Sequence, residues 1–344
     1  MNVFNILNTI RANSSQMYQE RIPVATKETL ADIGSDILTY EPLQNEFIGA
    51  LVNKIAFTIV SNRRFVNPLK ALKSRKITFG NTYEEVHINP AKDKGESTKD
   101  SEVSDLIGTE PTDVATLYHS LNRKGKYKVS TNFEDLKRAF TSEGAMGSFI
   151  EGVIASMYSG DDTDEFMLMK NVIADAISND LIVKVELDYN GDETSCKELV
   201  KLIKTLSHDF TEPSKEFNGY NLKLKSEIEA GTKTGRITWC PKENQVILIR
   251  SDVDASTDVE VLAKAFNMDK VEFNKRKFVV SSFNDDNTLC VLADDTFFKF
   301  HDNAYTTRKF NNGNSLVDNY FLHHWQTISV SLFANAVAIQ KTTA

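Results

Sequence analysis

A long, highly charged stretch between Asn67 and Pro111 constrains this chain more than any other feature of its sequence. Apolar residues alternate only briefly in it, at Ile77/Phe79 and from Tyr83 to Ile88, on either side of Gly80-Asn81. This pattern predicts a local two-stranded hairpin, which alone is at best marginally stable in water. Structureless loops of such length are uncommon in compact domains and are usually functional or disordered. The stretch must therefore either move freely or lie on another molecule.

The composition limits the class of protein. The 344 residues are enough for about two domains, and 41% hydrophobic with 26% charged residues is ordinary for a globular chain. Lys and Arg number 40 against 48 Asp and Glu, so the formal net charge is −8. Proteins that bind nucleic acid in general rely on clustered basic residues, so this balance argues against that class while allowing light contact with DNA.

The cysteines and the hydropathy pattern indicate where the chain is made. Cys196, Cys240 and Cys290 are far apart and odd in number, which predicts buried thiols rather than a disulfide framework or a zinc site. The first residues lack the apolar core of a signal peptide, and no run approaches the ~18 apolar residues of a membrane span. We expect a soluble chain made in the cytoplasm, with no membrane partner.

Helical and strand patterns alternate irregularly. Pro42, followed by Leu43 and Phe47, predicts the start of an amphipathic helix. The strongest helical pattern covers Met146 to Ile177, and an acidic segment in its middle predicts either one long helix with a break or two stacked helices. Ser195 and Glu198 have the spacing of a capping box. Strand patterns dominate after Arg236 without a βαβ rhythm, so the predicted fold class is α+β.

Residues suited to catalysis or metal binding are few. No phosphate-loop, dinucleotide-binding, zinc-protease or serine-hydrolase motif is present. The acidic cluster from Asp161 to Glu165 lacks the glycine and distant glutamate of a calcium loop, and capping at a helix start would explain it. His323 and His324 are neighbours on a predicted strand and point to opposite faces, which favours one core and one interfacial histidine. We therefore predict no catalytic residue, no metal and no cofactor. A metal-dependent enzyme built on either cluster is a distant alternative.

Two basic clusters are better candidates for function, as contacts to another molecule. The first cluster lies on the long stretch, between Lys70 and Lys76, and is followed by Glu84 and Glu85. The second cluster is Arg123 and Lys124, in the predicted turn from Asn122 to Gly125. A solvated surface is the alternative for both, and it explains the second cluster better than the first, which the notion of a charged arm docking on a neighbour fits more closely. As candidate intersubunit contacts we select Lys70, Lys73, Arg75, Lys76, Glu84, Glu85, Arg123 and Lys124.

Several segments, in the same order and spacing, resemble the major capsid (head) proteins of podoviruses of the phi-twenty-nine type. The resemblance runs from about residue 20 to about residue 340. Blocks that match in order over most of a chain are more specific than one motif. The segments are IPVATKETLADIG (Ile22–Gly34), FVNPLKALKSRKITFGNTYEEV (Phe65–Val86), NRKG (Asn122–Gly125), VLAKAFNM (Val261–Met268) and HHWQTISVSLFANAVAI (His323–Ile339).

The resemblance implies the Hong Kong-type phage capsid fold. By position, residues 1–61 would form the N-terminal arm and first helix, and 62–111 the extended loop. Residues 112–187 and 296–344 would form the peripheral domain, whose spine helix would fall within Met146–Ser178, and 188–295 the axial domain. Some relatives carry an immunoglobulin-like module after the FANAVA segment. The chain stops at Ala344, so we expect no such module here.

The resemblance also implies the function. We expect a non-enzymatic structural protein that assembles with itself, as pentamers and hexamers, into an icosahedral shell around double-stranded DNA. Scaffolding protein, portal and light contact with packaged DNA are the expected further partners, and the virion is the final location. The alternative is an encapsulin-like nanocompartment shell, which shares the fold but encloses a protein cargo.

Overall fold

The computed structural model describes residues 3–50, 65–77, 80–91, 109, 111–132, 137–140, 143–257, 276–312 and 317–342. The chain forms two compact units, each discontinuous in sequence. The first consists of Met1–Asn67, Asn122–Met167 and Asp302–Gln326, and the second of Pro68–Leu121, Leu168–His301 and Thr327–Ala344. These boundaries differ from the arm, loop, peripheral and axial division implied by the resemblance, which stays a prediction. Helices and sheets of both strand directions confirm the α+β class.

Four helices begin the first unit: α1 (Val3–Asn13), α2 (Gln16–Arg21), α3 (Leu30–Thr39) and α4 (Glu41–Ala50). Helices α1, α3 and α4 each bury one face, because their apolar residues recur every three or four positions, and the short α2 buries Tyr18. On α1 the buried residues are Val3, Ile6, Leu7 and Ile10. The predicted proline start is present, since Pro42 is the second residue of α4. These faces make one hydrophobic core, which Phe140 joins.

A three-stranded sheet contributes to this core, in the order β3 (Arg123–Asn132), β9 (Val317–Val330), β8 (Phe298–Asn312). β3 and β9 are antiparallel, with Tyr127 opposite Leu322 and Lys128 opposite Phe321. Successive side chains of a strand point to opposite faces. Tyr127, Leu322 and Tyr320 therefore pack on the helices, while Lys124, Lys126 and Lys128 lie on the other face.

The long helix α5 (Glu143–Ser178) is continuous over 36 residues. At about 1.5 Å per residue it is roughly 54 Å long. The break predicted at the acidic segment is therefore absent, and the expected long spine helix is present. Residues 161–165 lie inside this helix rather than at its start, so capping does not explain their charges.

The second unit is built on a five-stranded mixed sheet, in the order β4 (Val183–Leu187), β10 (Ala336–Lys341), β7 (Thr288–Asp294), β5 (Gln245–Arg250), β6 (Lys277–Val280). β10 is parallel to β4 and antiparallel to β7. All seven residues of β7 are buried, as expected for a central strand covered on both faces.

Helix α6 (Glu193–Asp209) covers this sheet with Cys196, Leu199, Ile203 and their neighbours. Its cap is Asp192, whose carboxylate accepts a 2.8 Å hydrogen bond from the Ser195 backbone N–H. The predicted Ser195 capping box is therefore wrong by one turn, and Ser195 lies within the helix. Three short helices also belong to the second unit: α7 (Gly219–Lys223), α8 (Lys225–Glu229) and α9 (Ser251–Thr257).

The three cysteines are free and buried, as predicted, and burial raises the pKa of Cys290 to about 12. Among the helices that the structure describes, none combines the length and the apolar character needed to cross a bilayer.

The charged stretch contributes one strand of an antiparallel pair in the second unit, and the other strand follows the stretch in sequence. β1 (Thr82–Ile88) pairs with β2 (Val114–Ser120), from Thr82 opposite Ser120 to Ile88 opposite Val114. The partner of β1 thus follows it by more than twenty residues, while the first strand of the predicted local hairpin around Gly80-Asn81 lies partly outside the described residues, at 78–79. We call β1 and β2 together the loop-base ribbon.

Candidate subunit-contact site

The first basic cluster is fixed through its backbone. Pro68–Leu72 forms a 3-10 turn that buries Leu69 and Leu72. Beyond it, the Ser74 N–H donates to the Phe300 carbonyl over 2.8 Å, and His301 Nδ1 donates to the Arg75 carbonyl over 2.7 Å. These bonds hold the segment in place within the second unit.

The four predicted contact residues of this segment differ in exposure. The side chains of Arg75 and Lys76 are exposed, while those of Lys70 and Lys73 are half-buried. Arg75 and Lys76 are therefore the two cations of the cluster best placed for a partner.

The loop-base ribbon has two unlike faces. Tyr83, Glu85 and His87 point inwards, and His119 and Leu117 lie beside them. The other face carries Glu84 and four exposed apolar side chains, which we call the aliphatic face: Val86 (50% exposed), Ile88 (59%), Val114 (46%) and Tyr118 (69%). A half-buried pair of strands ordinarily presents polar residues to water. Contiguous exposed apolar side chains are typical of an interaction surface.

Glu85 fastens the inner face of the ribbon. Its carboxylate accepts hydrogen bonds from His119 Nε2 (2.9 Å), Lys299 Nζ (2.9 Å) and Ser331 Oγ (2.8 Å). Burial opposes the charged form of Glu85. The His119 hydrogen bond, the charge and hydrogen bond of Lys299 and the Ser331 hydrogen bond outweigh it, so the pKa of Glu85 lies below its ordinary value. Glu85 thus acts inside the chain, whereas the neighbouring Glu84 is exposed.

A second set of bonds holds the far end of the ribbon. Asn89 Nδ2 donates to Asp113 Oδ2 (2.7 Å) and to the Gly235 carbonyl (3.0 Å), and the Ile237 N–H donates to Asn89 Oδ1 (3.0 Å). Arg236 pairs with the Asp113 carboxylate at 2.8 Å. The ribbon is therefore held on its inner face and at the Asn89–Asp113 end, with the aliphatic face turned away from its support.

Arg123 and Lys124, predicted together as a basic turn, lie at the start of β3 and point to opposite faces. Arg123 is 7% exposed and forms a 2.9 Å ion pair with Asp161. Lys124 is exposed, with its Nζ 5.3 Å from the centre of the Trp325 ring. Of the two residues, Lys124 alone is on the surface.

The Arg123–Asp161 pair belongs to a buried polar cluster in the first unit. His324 Nδ1 lies 2.8 Å from Asp161 Oδ2, and His324 Nε2 lies 2.9 Å from Asp302 Oδ1. A neutral imidazole has only one N–H, so two carboxylate partners require the protonated form. Burial lowers the pKa of His324, but the hydrogen bonds and charges of Asp161 and Asp302 more than compensate and raise it above its ordinary value.

Glu165 extends the buried cluster. It accepts hydrogen bonds from Gln326 Nε2 and, over 2.8 Å, from Asn67 Nδ2. Ligand atoms of Glu165, Asp302 and His324 lie within 4.8 Å of one another, close enough to share a cation. The same groups already bond to each other or to Gln326, and Arg123 with protonated His324 supplies positive charge. The cluster is thus accounted for as an internal ion-pair network.

His323 and His324 lie on opposite faces of β9, as predicted, because they stand opposite Lys126 and Gly125 of β3. Sequence reasoning missed the aliphatic face and the row of lysines continuing from Lys124 to Lys128. The signal for the lysine row was present in the alternating segment KGKYK, residues 124–128.

The raised pKa of His324 predicts a pH-dependent stability. A histidine whose pKa is higher in the folded than in the unfolded chain contributes stability below the unfolded pKa of about 6.5, and this is lost as pH rises through the folded pKa. We expect the urea midpoint of the unassembled subunit to fall over that range, and the fall to be smaller in His324→Gln. His323→Gln is the matched control and should keep the parent profile. Equal pH profiles for the parent and His324→Gln would contradict the assignment.

Comparison with solved structures defines the fold. A chain of the capsid structure of Staphylococcus phage Andhra superposes with a TM-score of 0.64 at 13% sequence identity, covering 82% of this chain and 86% of that chain. The likeness confirms the predicted Hong Kong-type phage capsid fold.

Comparison of sequences defines the family. The family model described as Phi29-like phage major capsid protein matches residues 7–340. The major capsid protein of Bacillus phage PZA is 31% identical over 338 residues, covering 97% of this chain and 72% of that protein. The major capsid protein of Bacillus phage B103 is also 31% identical, with the same coverage. The chain belongs to the family of Phi29-like phage major capsid proteins. Membership of this family confirms the resemblance and does not favour the encapsulin-like alternative. The family is one of structural virion components and is not an enzyme family.

Proposed function

We propose that the chain assembles with copies of itself, as pentamers and hexamers, into the closed icosahedral shell of a phage head around double-stranded DNA. It is made in the host cytoplasm and has no enzymatic activity of its own. Scaffolding protein and portal are the further partners, and packaged DNA touches the inner surface only lightly. Membership of the family supports the shell, and the net charge of −8 suits a shell that must not hold DNA tightly.

The aliphatic face of the loop-base ribbon is the observation that carries the proposal. The ribbon is fixed on its inner face and at one end, yet it turns Val86, Ile88, Val114 and Tyr118 to the outside. Covering such side chains contributes roughly 25 cal/mol per Å² of apolar area removed from water. We assign this face to contact with an adjacent subunit.

Charged side chains add to the contacts between subunits. In the second unit, exposed Arg75, Lys76 and Glu84 act together with the half-buried Lys70 and Lys73. In the first unit, exposed Lys124 is a separate candidate contact. Each exposed ion pair contributes only about 0.2–1 kcal/mol, so single contacts stay reversible while their repetition over a shell makes it strong. Arg123 and Glu85 act indirectly, by fixing the elements that carry the contact residues.

Electron microscopy of the purified full chain tests the proposal, and closed shells of uniform size are the expected result. Val86→Asp/Ile88→Asp should leave a folded subunit that forms no closed shell, because two carboxylates would be buried at the contact. Reversal of Lys70, Lys73, Arg75 and Lys76 to glutamate should have the same effect. The volume-conserving control Val86→Ile/Ile88→Val should assemble normally. Normal shells from the aspartate variant would show that the aliphatic face is not a subunit contact.

A further inference from the structure

A buried lysine of the second unit has hydroxyl partners but no carboxylate. Lys170 on α5 is 7% exposed, and its Nζ donates hydrogen bonds to Ser282 Oγ over 3.1 Å and to Ser281 Oγ over 3.4 Å. Among the residues that the structure describes, no carboxylate lies within ion-pair distance of this ammonium group. Buried charges in proteins are ordinarily paired. An anion that binds to the chain would supply the missing negative charge.

Other lysines of the same unit show the contrast. Lys277 Nζ lies 2.6 Å from the Asp254 carboxylate, and Lys299 Nζ lies 2.9 Å from that of Glu85. Both of these lysines are half-buried, whereas Lys170 is buried. The most deeply buried of the three cations is therefore the one without an acidic partner.

The loop that carries the two serines is held against α5. It joins β6 to β7, and Phe283 within it is only 2% exposed. Asn284 has a φ of 62°, a conformation that asparagine tolerates better than most residues, and the chain turns there. Its Nδ2 donates a 2.8 Å hydrogen bond to Asn171 Oδ1 on α5. The serine hydroxyls are thus fixed beside the Lys170 ammonium group.

Lys170, Ser281 and Ser282 together offer a set of hydrogen-bond donors. An ammonium group has three N–H donors and no acceptor, so Lys170 keeps one N–H after bonding to both serines. Each serine oxygen accepts from the ammonium group, and neither serine O–H has an acceptor among the described residues. The side chain of Ser281 is exposed, so an anion can reach the group from the surface.

Phosphate suits this donor set better than carboxylate does. A tetrahedral phosphate presents four oxygens in different directions, whereas a carboxylate presents two in one plane. Lysine and serine side chains are among the usual partners of phosphate oxygens in protein–DNA contacts. A charged donor together with hydroxyl donors, all within hydrogen-bond distance of one another, is therefore suited to one phosphate group.

We propose that Lys170, Ser281 and Ser282 form a binding site for a phosphate group, supplied by the backbone of packaged DNA or by the free ion. The DNA source rests on the proposed shell function, while the chemistry of the site does not. The contact with DNA is weak, because the net charge is −8 and Asp285 and Asp286 lie on the same loop as the serines. The site thus gives residues to the light contact with DNA.

Titration of the unassembled full-length subunit with inorganic phosphate tests the site. Calorimetry at constant ionic strength should show binding to the parent, and Lys170→Met should bind at least about tenfold more weakly, because a charged hydrogen-bond donor is lost. Ser281→Ala/Ser282→Ala should also bind more weakly than the parent. Lys201→Met removes an exposed lysine of the same unit, and this matched control should bind as the parent does. Absence of binding to the parent, or equal binding by Lys170→Met, would overturn the proposal.

Urea unfolding gives a second readout on the same variants. Phosphate that binds only the folded subunit should raise the urea midpoint of the parent and of Lys201→Met, but not that of Lys170→Met. In the absence of phosphate, Lys170→Met should be at least as stable as the parent, since a buried charge without a carboxylate is removed. Equal rises in the midpoint for the parent and Lys170→Met would contradict the site.

Competition identifies the source of the phosphate and tests the rival ligand. A short DNA duplex without terminal phosphates should displace inorganic phosphate from the parent, which would support the DNA backbone as the ligand. Failure of the duplex to compete would assign the site to the free ion, with the same chemistry. If acetate displaces phosphate at equal concentration, the site receives a carboxylate, as from a second subunit, and the proposal is overturned.

Failure of this inference and failure of the proposed function are distinguishable. If the parent forms closed shells but its subunit binds no phosphate, the inference fails while the function stands. If the subunit binds phosphate through Lys170 but forms no closed shells, the proposed function fails while the site stands. If Lys170→Met folds but forms no shells, Lys170 belongs to a subunit contact and the inference is overturned.

Discussion

Replacing Asp161 with alanine should lower the free energy of unfolding of the unassembled subunit by about 3–5 kcal/mol. Loss of one partner from a buried pair costs this much because the other charge stays buried without compensation. Here Arg123 loses its 2.9 Å ion pair and His324 loses one of its two carboxylates. Urea unfolding of the subunit before assembly measures the effect.

The matched control for Asp161→Ala is Asp164→Ala on the same helix. Asp164 is exposed and accepts one hydrogen bond, from the Tyr127 hydroxyl over 2.6 Å. Its removal should cost no more than about 1 kcal/mol, as for exposed polar contacts. A loss for Asp161→Ala as small as that for Asp164→Ala would refute the buried network.

Replacing Glu85 with alanine should loosen the loop-base ribbon at a cost of about 3 kcal/mol. The change removes three hydrogen bonds and leaves Lys299, which is 16% exposed, without its carboxylate. Hydrogen exchange should rise at the amides of Thr82–Ile88 and Val114–Ser120 and stay unchanged in β7. The neighbouring Glu84→Ala, on the other face, should leave exchange unaltered.

Low pH should weaken the hydrogen bonds that Glu85 makes with His119, Lys299 and Ser331. The pKa of Glu85 is lower in the folded chain than in the unfolded one, so its contribution is present above the ordinary pKa of about 4.5 and is lost as pH falls through the folded value. The ribbon of the parent should therefore loosen at low pH, and Glu85→Ala should lack this acid step. An acid step of equal size in Glu85→Ala would assign it to other groups.

Helix α5 shows what a sequence pattern can and cannot establish about a helix. Its two apolar runs were visible, but Ser159 to Asp164 has low helix propensity, and this indicated a break. The helix continues because Asp161 and Glu165 meet Arg123, Gln326 and other residues far away in sequence. Such partners cannot be read from local periodicity.

The loop-base ribbon shows the same limit for strands. The alternation of Tyr83 to Ile88 identified β1 correctly, but local reasoning supplied a partner across Gly80-Asn81. The actual partner is β2, and the pairing is selected by inner-face contacts such as Glu85 with Lys299 and His119 with Ser329. The blocks resembling the family predict an extended loop over residues 62–111, but they carry no information on which face of the β1–β2 pair is apolar.

Arg123 and Lys124 mark the limit at the level of single residues. Both are basic and adjacent, so composition treats them alike. Because successive side chains of a strand point to opposite faces, one of the two must be buried and the other exposed. The position of the helix beneath β3 determines that Arg123 is the buried residue and Lys124 the exposed one.

The position of β10 has a consequence for how subunits are produced. It lies between β4 and β7, yet it is synthesised after every other strand of that sheet. A nascent chain that has not reached Ala336 therefore leaves β4 unpaired and one side of β7 open. We expect the sheet to form only after translation has passed Lys341. Prematurely terminated chains would then be left unfolded for proteolysis instead of being built into a shell with a defective subunit.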